Sequence, residues 1–133
     1  PFPNHKQITI IEITNHKSYD IEERTARFAE RCRDYVRKLP RTISNIEYGK
    51  QLIRSSGSQA ANYIEANESL GKKDFQHRMR IARKEAKESC LWLRLAEPNK
   101  DQEQEKKALL QEGSEIRSIF TAILENSSQG MKL

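Results

Sequence analysis

Residues 44–70 read SNIEYGKQLIRSSGSQAANYIEANESL, and the spacing of their apolar positions decides the fold class. Apolar and small residues recur every three or four positions, which is the period of an α-helix. Ser44 and Glu47 form the S-x-x-E pattern of a capping box, Ile43 precedes it as a hydrophobic staple, and Gly71 is expected to end the helix. The stretch therefore predicts one helix of about 38 Å.

This helix carries two adjacent apolar stripes. The first comprises Ile46, Gly49, Ile53, Ser56, Gly57, Ala60 and Ile64, and the second comprises Tyr48, Leu52, Tyr63, Ala66 and Leu70. Together they cover about half of the circumference, which is wider than a surface helix needs. Because a glycine in mid-helix costs up to ~1 kcal/mol relative to alanine, a close packing contact is expected at Gly57.

The flanking segments predict three more amphipathic helices. The first runs from Asp20, which forms a capping box with Glu23, to Pro40. The third runs from Asp74 or the preceding lysines to Ala96, and the fourth runs from Asp101 to Asn126. Their expected core positions are Ile21, Phe28, Cys32, Tyr35, Val36 and Leu39, then Phe75, Met79, Ala82, Ala86, Cys90 and Leu93, then Leu109, Ile116, Ile119, Phe120, Ile123 and Leu124. Short connections make successive helices antiparallel, so we predict an all-α, up-down four-helix bundle over residues 19–127.

An N-terminal arm, residues 1–18, and a short tail, residues 128–133, lie outside the predicted bundle. The arm reads PFPNHKQITIIEITNHKS, and its isoleucines and threonines favour an extended conformation. A single strand cannot form a sheet alone. The arm is therefore interpreted as a loose segment, as a strand paired with a symmetry mate, or as a cover over the bundle.

Composition sets broad limits on function. The chain has 133 residues, the size of one domain, and a net charge of +5. A basic balance permits binding to nucleic acid, anionic membrane or acidic protein without selecting among them. No apolar run approaches the ~18 residues of a membrane span, and no signal peptide pattern is present. Cys32 and Cys90 fall on helical core positions, as free thiols in a reducing compartment do. A cytoplasmic protein with no membrane partner is expected.

The third helix concentrates positive charge. Residues 72–94 contain eight lysines and arginines against three acidic residues, whereas residues 100–125 contain four against six. Six of the cations fall within about a third of a turn: Lys73, Arg80, Arg83, Lys84, Lys87 and Arg94. Such a stripe can follow the phosphates of RNA or DNA. A solvated helix face and a docking face for an acidic neighbour are the alternatives.

A second side of the third helix is apolar, and it predicts a subunit interface together with part of the second helix. The expected interface residues are Tyr48, Leu52, Tyr63, Ile81, Trp92 and Leu95. An exposed tryptophan beside Ile and Leu is unusual unless something covers it. The alternative is that this side packs on the fourth helix or on the arm.

The polar side of the second helix predicts a hydrogen-bonded network. Arg54, Ser58, Asn62 and Glu65 follow one another at spacings of four, four and three, and the expected partner across the bundle is Arg83 or Glu88. We interpret this set as a structural network that fixes helix register rather than as a ligand site.

Patterns of catalytic or metal chemistry are missing from the sequence. His5, His16 and His77 lack the Glu-x-x-His spacing of di-iron bundles, the cysteines do not form C-x-x-C, and no Gly-rich phosphate loop occurs. We therefore predict no cofactor, no metal and no enzymatic activity.

The segment from Ile53 to Leu95 resembles the 23S rRNA intervening-sequence proteins, also called four helix bundle proteins. The residues that carry the resemblance are Arg54, Ser55, Ser58, Ala61, Asn62, Glu65, Ala66, Lys73, Phe75, Ile81, Ala82, Arg83, Glu85, Glu88 and Leu93. The helix from Asp20 to Pro40 is similar as well, whereas the arm is not. Ala66 stands where family members more often carry glycine, so the resemblance does not fix the turn that follows.

The resemblance implies an up-down bundle that assembles as a homopentamer. The chain is also similar to the accessory variability proteins of diversity-generating retroelements, which are pentameric barrels that bind a reverse transcriptase and nucleic acid. The expected partners are therefore other copies of the chain, RNA or DNA, or a protein. The family is named for the position of its genes within inserted rRNA elements, so the name does not imply rRNA binding.

Overall fold

The computed structural model describes residues 17–128, with side chains from Ile21 onward, and this part of the chain contains helices and no strand. The helices are α1 (Lys17–Arg37), α2 (Ile43–Asn67), α3 (Lys72–Leu95) and α4 (Glu103–Ser128), with a 3-10 turn at Lys100–Gln102 before α4. The predicted all-α four-helix fold is confirmed. The predicted arm and tail lie outside the described residues, except that Lys17 and Ser18 belong to α1 and Ser128 belongs to α4.

The four helices are antiparallel and enclose one core. Consecutive helices pack against each other, and α1 packs against α4 to close the bundle. The largest fully buried side chains come from all four helices: Phe28, Cys32, Tyr35, Leu52, Tyr63, Met79, Leu93, Leu109, Ile116 and Phe120. On α1 the predicted core positions are buried, apart from the half-buried Val36. Helical periodicity therefore located this part of the core correctly.

The start of α2 differs from the prediction. Thr42, not Ser44, is the N-cap: its backbone is extended (φ −84°, ψ 162°) and its Oγ1 accepts a hydrogen bond from the Asn45 N–H at 3.1 Å. Ile43 is then the first helical residue and is 87% exposed, so it forms no staple. At the other end α2 stops at Asn67, and Gly71 instead caps the start of α3.

Asn45 joins two connections at one end of the bundle. Its Nδ2 donates to the Pro40 carbonyl and to the Glu97 carbonyl, both at 2.9 Å, and its Oδ1 accepts from the Glu97 N–H at 2.9 Å. The side chain is buried, and a buried amide is tolerated only when it is hydrogen-bonded in this way. The α1–α2 and α3–α4 connections are therefore held to each other through one residue.

Ion pairs attach α1 to α4. Arg24 binds Glu112 through two hydrogen bonds of 2.8 Å and also contacts Glu115 at 2.6 Å. The bond to Glu112 raises the pKa of the Arg24 guanidinium, against the opposing effect of burial. Arg31 pairs with Glu105 at 3.2 Å. The acidic side of α4 is thus directed toward α1.

Close helix approach occurs at Gly49 and Gly113 rather than at Gly57. A Cβ at Gly113 would lie 2.8 Å from the Cys90 Sγ and 3.2 Å from the Phe28 Cζ, and a Cβ at Gly49 would lie 2.8 Å from the Val36 Cγ1. At Gly57 a Cβ would meet no atom of the described residues within 4 Å. The described residues therefore supply no packing contact at Gly57, because this position faces outward.

Replacing Gly57 and Gly113 by alanine is expected to change the free energy of unfolding in opposite directions. Gly57→Ala should raise the free energy of unfolding by up to about 1 kcal/mol, because alanine favours the helix and meets open space. Gly113→Ala should lower it by about 1–3 kcal/mol, because the added methyl group overpacks the core. Urea denaturation followed by circular dichroism measures both. Shifts of the same sign in the two variants would contradict these packing assignments.

Both cysteines are free thiols, as predicted. Cys32 is fully buried, and burial raises its pKa to about 12 because it disfavours the thiolate, although a hydrogen bond with Ser56 acts in the opposite direction. Cys90 is half-buried, and burial raises its pKa as well. The native state therefore keeps a proton on Cys32 at a pH where the unfolded chain releases it.

This difference predicts a loss of stability in alkali. Since the ordinary thiol pKa is 9.0 and the native value is about 12, the stability that Cys32 contributes is present below pH 9 and is lost as the pH rises toward 12. Between those values the free energy of unfolding of the parent protein should fall more steeply than that of Cys32→Ala, by up to about 1.4 kcal/mol per pH unit. Cys32→Ser should share the shallower slope whatever its absolute stability. Equal slopes in all three proteins would show that the thiol stays accessible to water.

Candidate nucleic-acid interface

The basic stripe lies on the side of α3 that faces away from the core. Met79, Ala82, Ala86 and Leu93 are fully buried on the opposite side of the helix. Five of the six predicted cations are exposed and Arg83 is half-buried; the exposed ones are Lys73, Arg80, Lys84, Lys87 and Arg94. The structure therefore brings all six together on one outward strip.

The side chains of these six cations form no direct ion pair and no hydrogen bond with any other residue in the range 21–128, where side chains are described. On α1 the situation differs, since Arg24, Arg31, Arg33 and Arg37 each contact a carboxylate. The alternative that the basic helix docks on an acidic neighbour within the chain is therefore not realised in the described bundle. Among the described side chains, the six cations therefore have no carboxylate within ion-pair distance, although Lys84 acts at longer range on Glu85 of the same helix.

The arrangement of α4 explains why its acidic residues do not neutralise this strip. Glu105, Glu112 and Glu115 point to α1, where they bind Arg31 and Arg24. On its α3 side, α4 presents Arg117, whose charge acts on Cys90 of α3. Arg117 lines a shallow hollow with Ser114, Ser118 and Thr121. Sequence reasoning missed the role of this residue because a charge count for the segment does not say which side of α4 each charge occupies.

Two residues of the predicted oligomer interface belong to the core instead. Leu52 and Tyr63 are fully buried, and the Tyr63 ring stacks on Phe120 with a centroid distance of 5.6 Å. Their assignment to an interface is wrong, because the chain covers them itself. Ala66 of the same stripe is buried as well, whereas Tyr48 is half-buried and Leu70 is exposed.

Trp92 is also covered within the chain. Its ring stacks on Tyr48 at a centroid distance of 6.1 Å, and its indole Nε1 is buried without an acceptor among the described residues. The expected exposed tryptophan is therefore not present. Ile81 is half-buried, whereas Leu91 and Leu95 remain exposed on α3 and Ile53 and Ile64 remain exposed on α2.

The predicted polar network forms only in part. The Asn62 Nδ2 donates to the Ser58 carbonyl at 2.9 Å and to the Ser58 Oγ at 3.1 Å, and Arg78 donates to the Asn62 Oδ1 at 3.4 Å. The side chains of Arg54, Glu65 and Glu88 make no hydrogen bond to any residue between 21 and 128. Their assignment to a bonded network is therefore not supported by the contacts.

The buried polar contact between α2 and α3 is instead the pair Ser55 and Ser89, whose hydroxyls lie 2.8 Å apart. Close to it on α3, burial raises the pKa of the Glu85 carboxyl, and the negative charge of Glu88 adds to this effect. Lys84 and Arg54 act in the opposite direction. Glu85 and Glu88 thus form a weakly compensated acidic spot beside the basic strip.

Residues 17–128 hold no group of three or more His, Cys, Asp or Glu side chains placed to bind a metal ion. Within the same residues, no helix combines the length and apolar character that crossing a membrane requires.

Comparisons with known proteins agree with the geometry. The model of the family described as 23S rRNA-intervening sequence protein matches residues 17–122. A crystal structure from Bacteroides thetaiotaomicron, of a protein with unknown function from the S23 ribosomal protein family, is similar to this chain with a TM-score of 0.68 and 25% sequence identity. The similarity covers 82% of this chain and 98% of that one. No curated protein sequence matches.

Because the family match spans α1 to α3 and most of α4, the chain belongs to the 23S rRNA-intervening sequence protein family.

Proposed function

We propose that this protein is a non-enzymatic, cytoplasmic homo-oligomer that contacts RNA or DNA through the basic face of α3. The observation that carries the proposal is the absence of carboxylate partners for six cations on one face of the described bundle. Free cations on a rigid helix can bind phosphates and release counter-ions without first breaking internal ion pairs.

The dimensions of the strip suit a nucleic-acid backbone. From Lys73 to Arg94 the helix rises about 32 Å, which corresponds to roughly nine nucleotide steps of one strand in a B-form duplex. The cations are lysines and arginines without interleaved aromatic residues on the outer face, so base stacking is not expected. Contacts of this kind are made to the backbone and depend weakly on base sequence.

Charge reversal tests the proposal directly. In the triple variant Arg80→Glu, Lys84→Glu, Lys87→Glu, affinity for a 20-nucleotide RNA at low salt should fall at least about tenfold, because phosphate contacts become repulsive. The slope of log affinity against log salt should become shallower by about 0.7 for each lost contact to a single strand. Fluorescence anisotropy over a salt series measures both quantities.

A matched control separates the location of the charge from its amount. The variant Arg27→Glu, Arg41→Glu, Lys107→Glu changes the net charge equally at exposed positions outside α3. It should retain most of the affinity. Equal losses in both triple variants would show that net charge, not the α3 face, governs binding, and an unchanged affinity in the α3 variant would rule the strip out.

The proposed oligomer is a pentamer. With Leu52 and Tyr63 in the core, its interface is proposed to use the exposed leucines of α3, Leu91 and Leu95, beside the half-buried Tyr48, Ile81 and Trp92. Light scattering should then report a particle of about five times the 15.5 kDa chain mass. A particle of one chain mass at micromolar concentration would contradict this assembly.

A protein-interaction module without nucleic-acid binding is the second candidate. It is favoured by Leu91 and Leu95, which are exposed on the same side of α3 as Arg80 and Lys84. Apolar anchors surrounded by charges are typical of protein interfaces. Under this alternative, the parent protein binds neither RNA nor DNA even at low salt, and the leucines rather than the cations determine recognition of a partner.

A further inference from the structure

An apolar seam on α2 remains uncovered in the described bundle. It consists of Ile53, Gly57 and Ile64, which recur at spacings of four and seven and therefore share one side of the helix. Within the described part of the chain, Ile53 is 46% exposed, Ile64 is 42% exposed, and a Cβ added at Gly57 would meet no atom within 4 Å. The two isoleucines are about half exposed and lie about 16 Å apart along the helix. The glycine between them has no side chain, so the three residues form a shallow apolar track.

The seam runs along the edge of α2 that borders α1. Gly49, four residues before Ile53, packs against Val36 of α1, and Asn67, three residues after Ile64, donates a hydrogen bond to Glu22 of α1 at 3.4 Å. The opposite edge of α2 contacts α3 through Ser55 and Asn62. The seam is thus separate from the proposed interface on α3.

The start of α1 lies at one end of the seam. The hydrogen bond between Asn67 and Glu22 places the end of α2 within about two turns of Lys17, where the chain of residues 1–16 joins α1. That segment contains Ile8, Ile10, Ile11 and Ile13 within six residues, bounded by polar residues. It is an apolar segment tethered beside an apolar track.

Its length is sufficient to reach the whole seam. From Lys17 back to Ile8 an extended chain spans about 30 Å, which exceeds the ~16 Å between Ile64 and Ile53. Asn15 and His16 precede α1, and asparagine favours the chain reversal that would return the segment along α1. The geometry therefore allows docking without any change in the helices.

A tethered segment is a better occupant than a second copy. Two half-exposed isoleucines and a glycine offer far less area than the ~800 Å² per partner of a stable interface. A covalently attached segment experiences an effective concentration in the millimolar range, so that a small apolar contact is enough to hold it.

We propose that residues 1–16 fold back along the α1–α2 edge of their own chain and bury their isoleucines on the seam of Ile53, Gly57 and Ile64. Docking of this kind covers the apolar track and leaves the basic face of α3 free. The seam is therefore an intramolecular binding site for the N-terminal segment.

Limited trypsin digestion of the full chain tests the docking, because Lys6 lies in the segment next to Ile8. In Ile53→Gln, Ile64→Gln, the rate of cleavage after Lys6 should rise about fivefold or more, since proteolysis follows the population of the undocked segment. The variant adds no charge and no cleavage site. Mass spectrometry of the released peptide measures the rate, and circular dichroism verifies that α1–α4 stay folded.

The matched control is Leu91→Gln, Leu95→Gln on α3, where the two leucines are 42% and 38% exposed. It should leave the rate after Lys6 within about twofold of the parent. Replacing Ile8 and Ile10 by threonine should accelerate cleavage as the seam variant does, and combining both changes should add nothing further. Equally fast cleavage in the parent and all variants would overturn the proposal.

Mixing distinguishes docking within a chain from docking between chains. The seam variant, which has an intact arm, is mixed with the Ile8→Thr, Ile10→Thr variant, which has an intact seam. The two variants release the same peptide, so the mass of the fragment from residue 7 onward identifies which variant was cut. Docking within one chain leaves the Lys6 cleavage of the seam variant fast in the mixture. Restored protection would show that the segment binds another copy and would overturn the intramolecular assignment.

Discussion

The buried amide of Asn45 is the constraint on which the geometry of the bundle depends. Helices that pack through apolar faces can slide and rotate with little change in buried area. Contact area alone therefore specifies the register between helices weakly. Asn45 removes this freedom at one end, because its three hydrogen bonds to Pro40 and Glu97 exist in only one arrangement of the two connections. The same end is secured by Gln102, which donates to the Tyr35 carbonyl at 3.0 Å. At the opposite end, the Asn67 side chain donates an exposed hydrogen bond of 3.4 Å to Glu22.

Separation of charge between helices follows from this register. With α1 and α4 fixed side by side, the carboxylates of α4 reach the arginines of α1, and the cations on the outward face of α3 form no ion pair within the described bundle. Net charge alone would not produce a positive strip, since a modest excess spread over the surface would be largely screened at physiological salt. The strip exists because the carboxylates of α4 bind the arginines of α1 instead. Oligomerisation would repeat it around the particle.

Sequence patterns predicted some of these features and not others, for identifiable reasons. The period of α1 located Ile21, Phe28 and Tyr35 in the core, and the period of α3 located the cations, because angular position on a helix follows from spacing. Spacing does not say which neighbour covers a face, so Tyr63 was assigned to an interface and Gly57 to a close contact. The role of Asn45 was missed because a polar residue on a helix is expected to face water. The solvent-facing state of the α3 cations depends on which way the acids of α4 point, and a charge count does not contain that information.

The stacking of Trp92 on Tyr48 has a practical consequence for anyone who follows this molecule by spectroscopy. Trp92 is the single tryptophan of the chain, so its emission originates at one point of contact between α2 and α3. Fluorescence therefore reports the separation of α2 from α3 and does not report fraying of α1 or α4. A melting curve recorded by tryptophan emission and one recorded by ellipticity coincide only if the four helices unfold together.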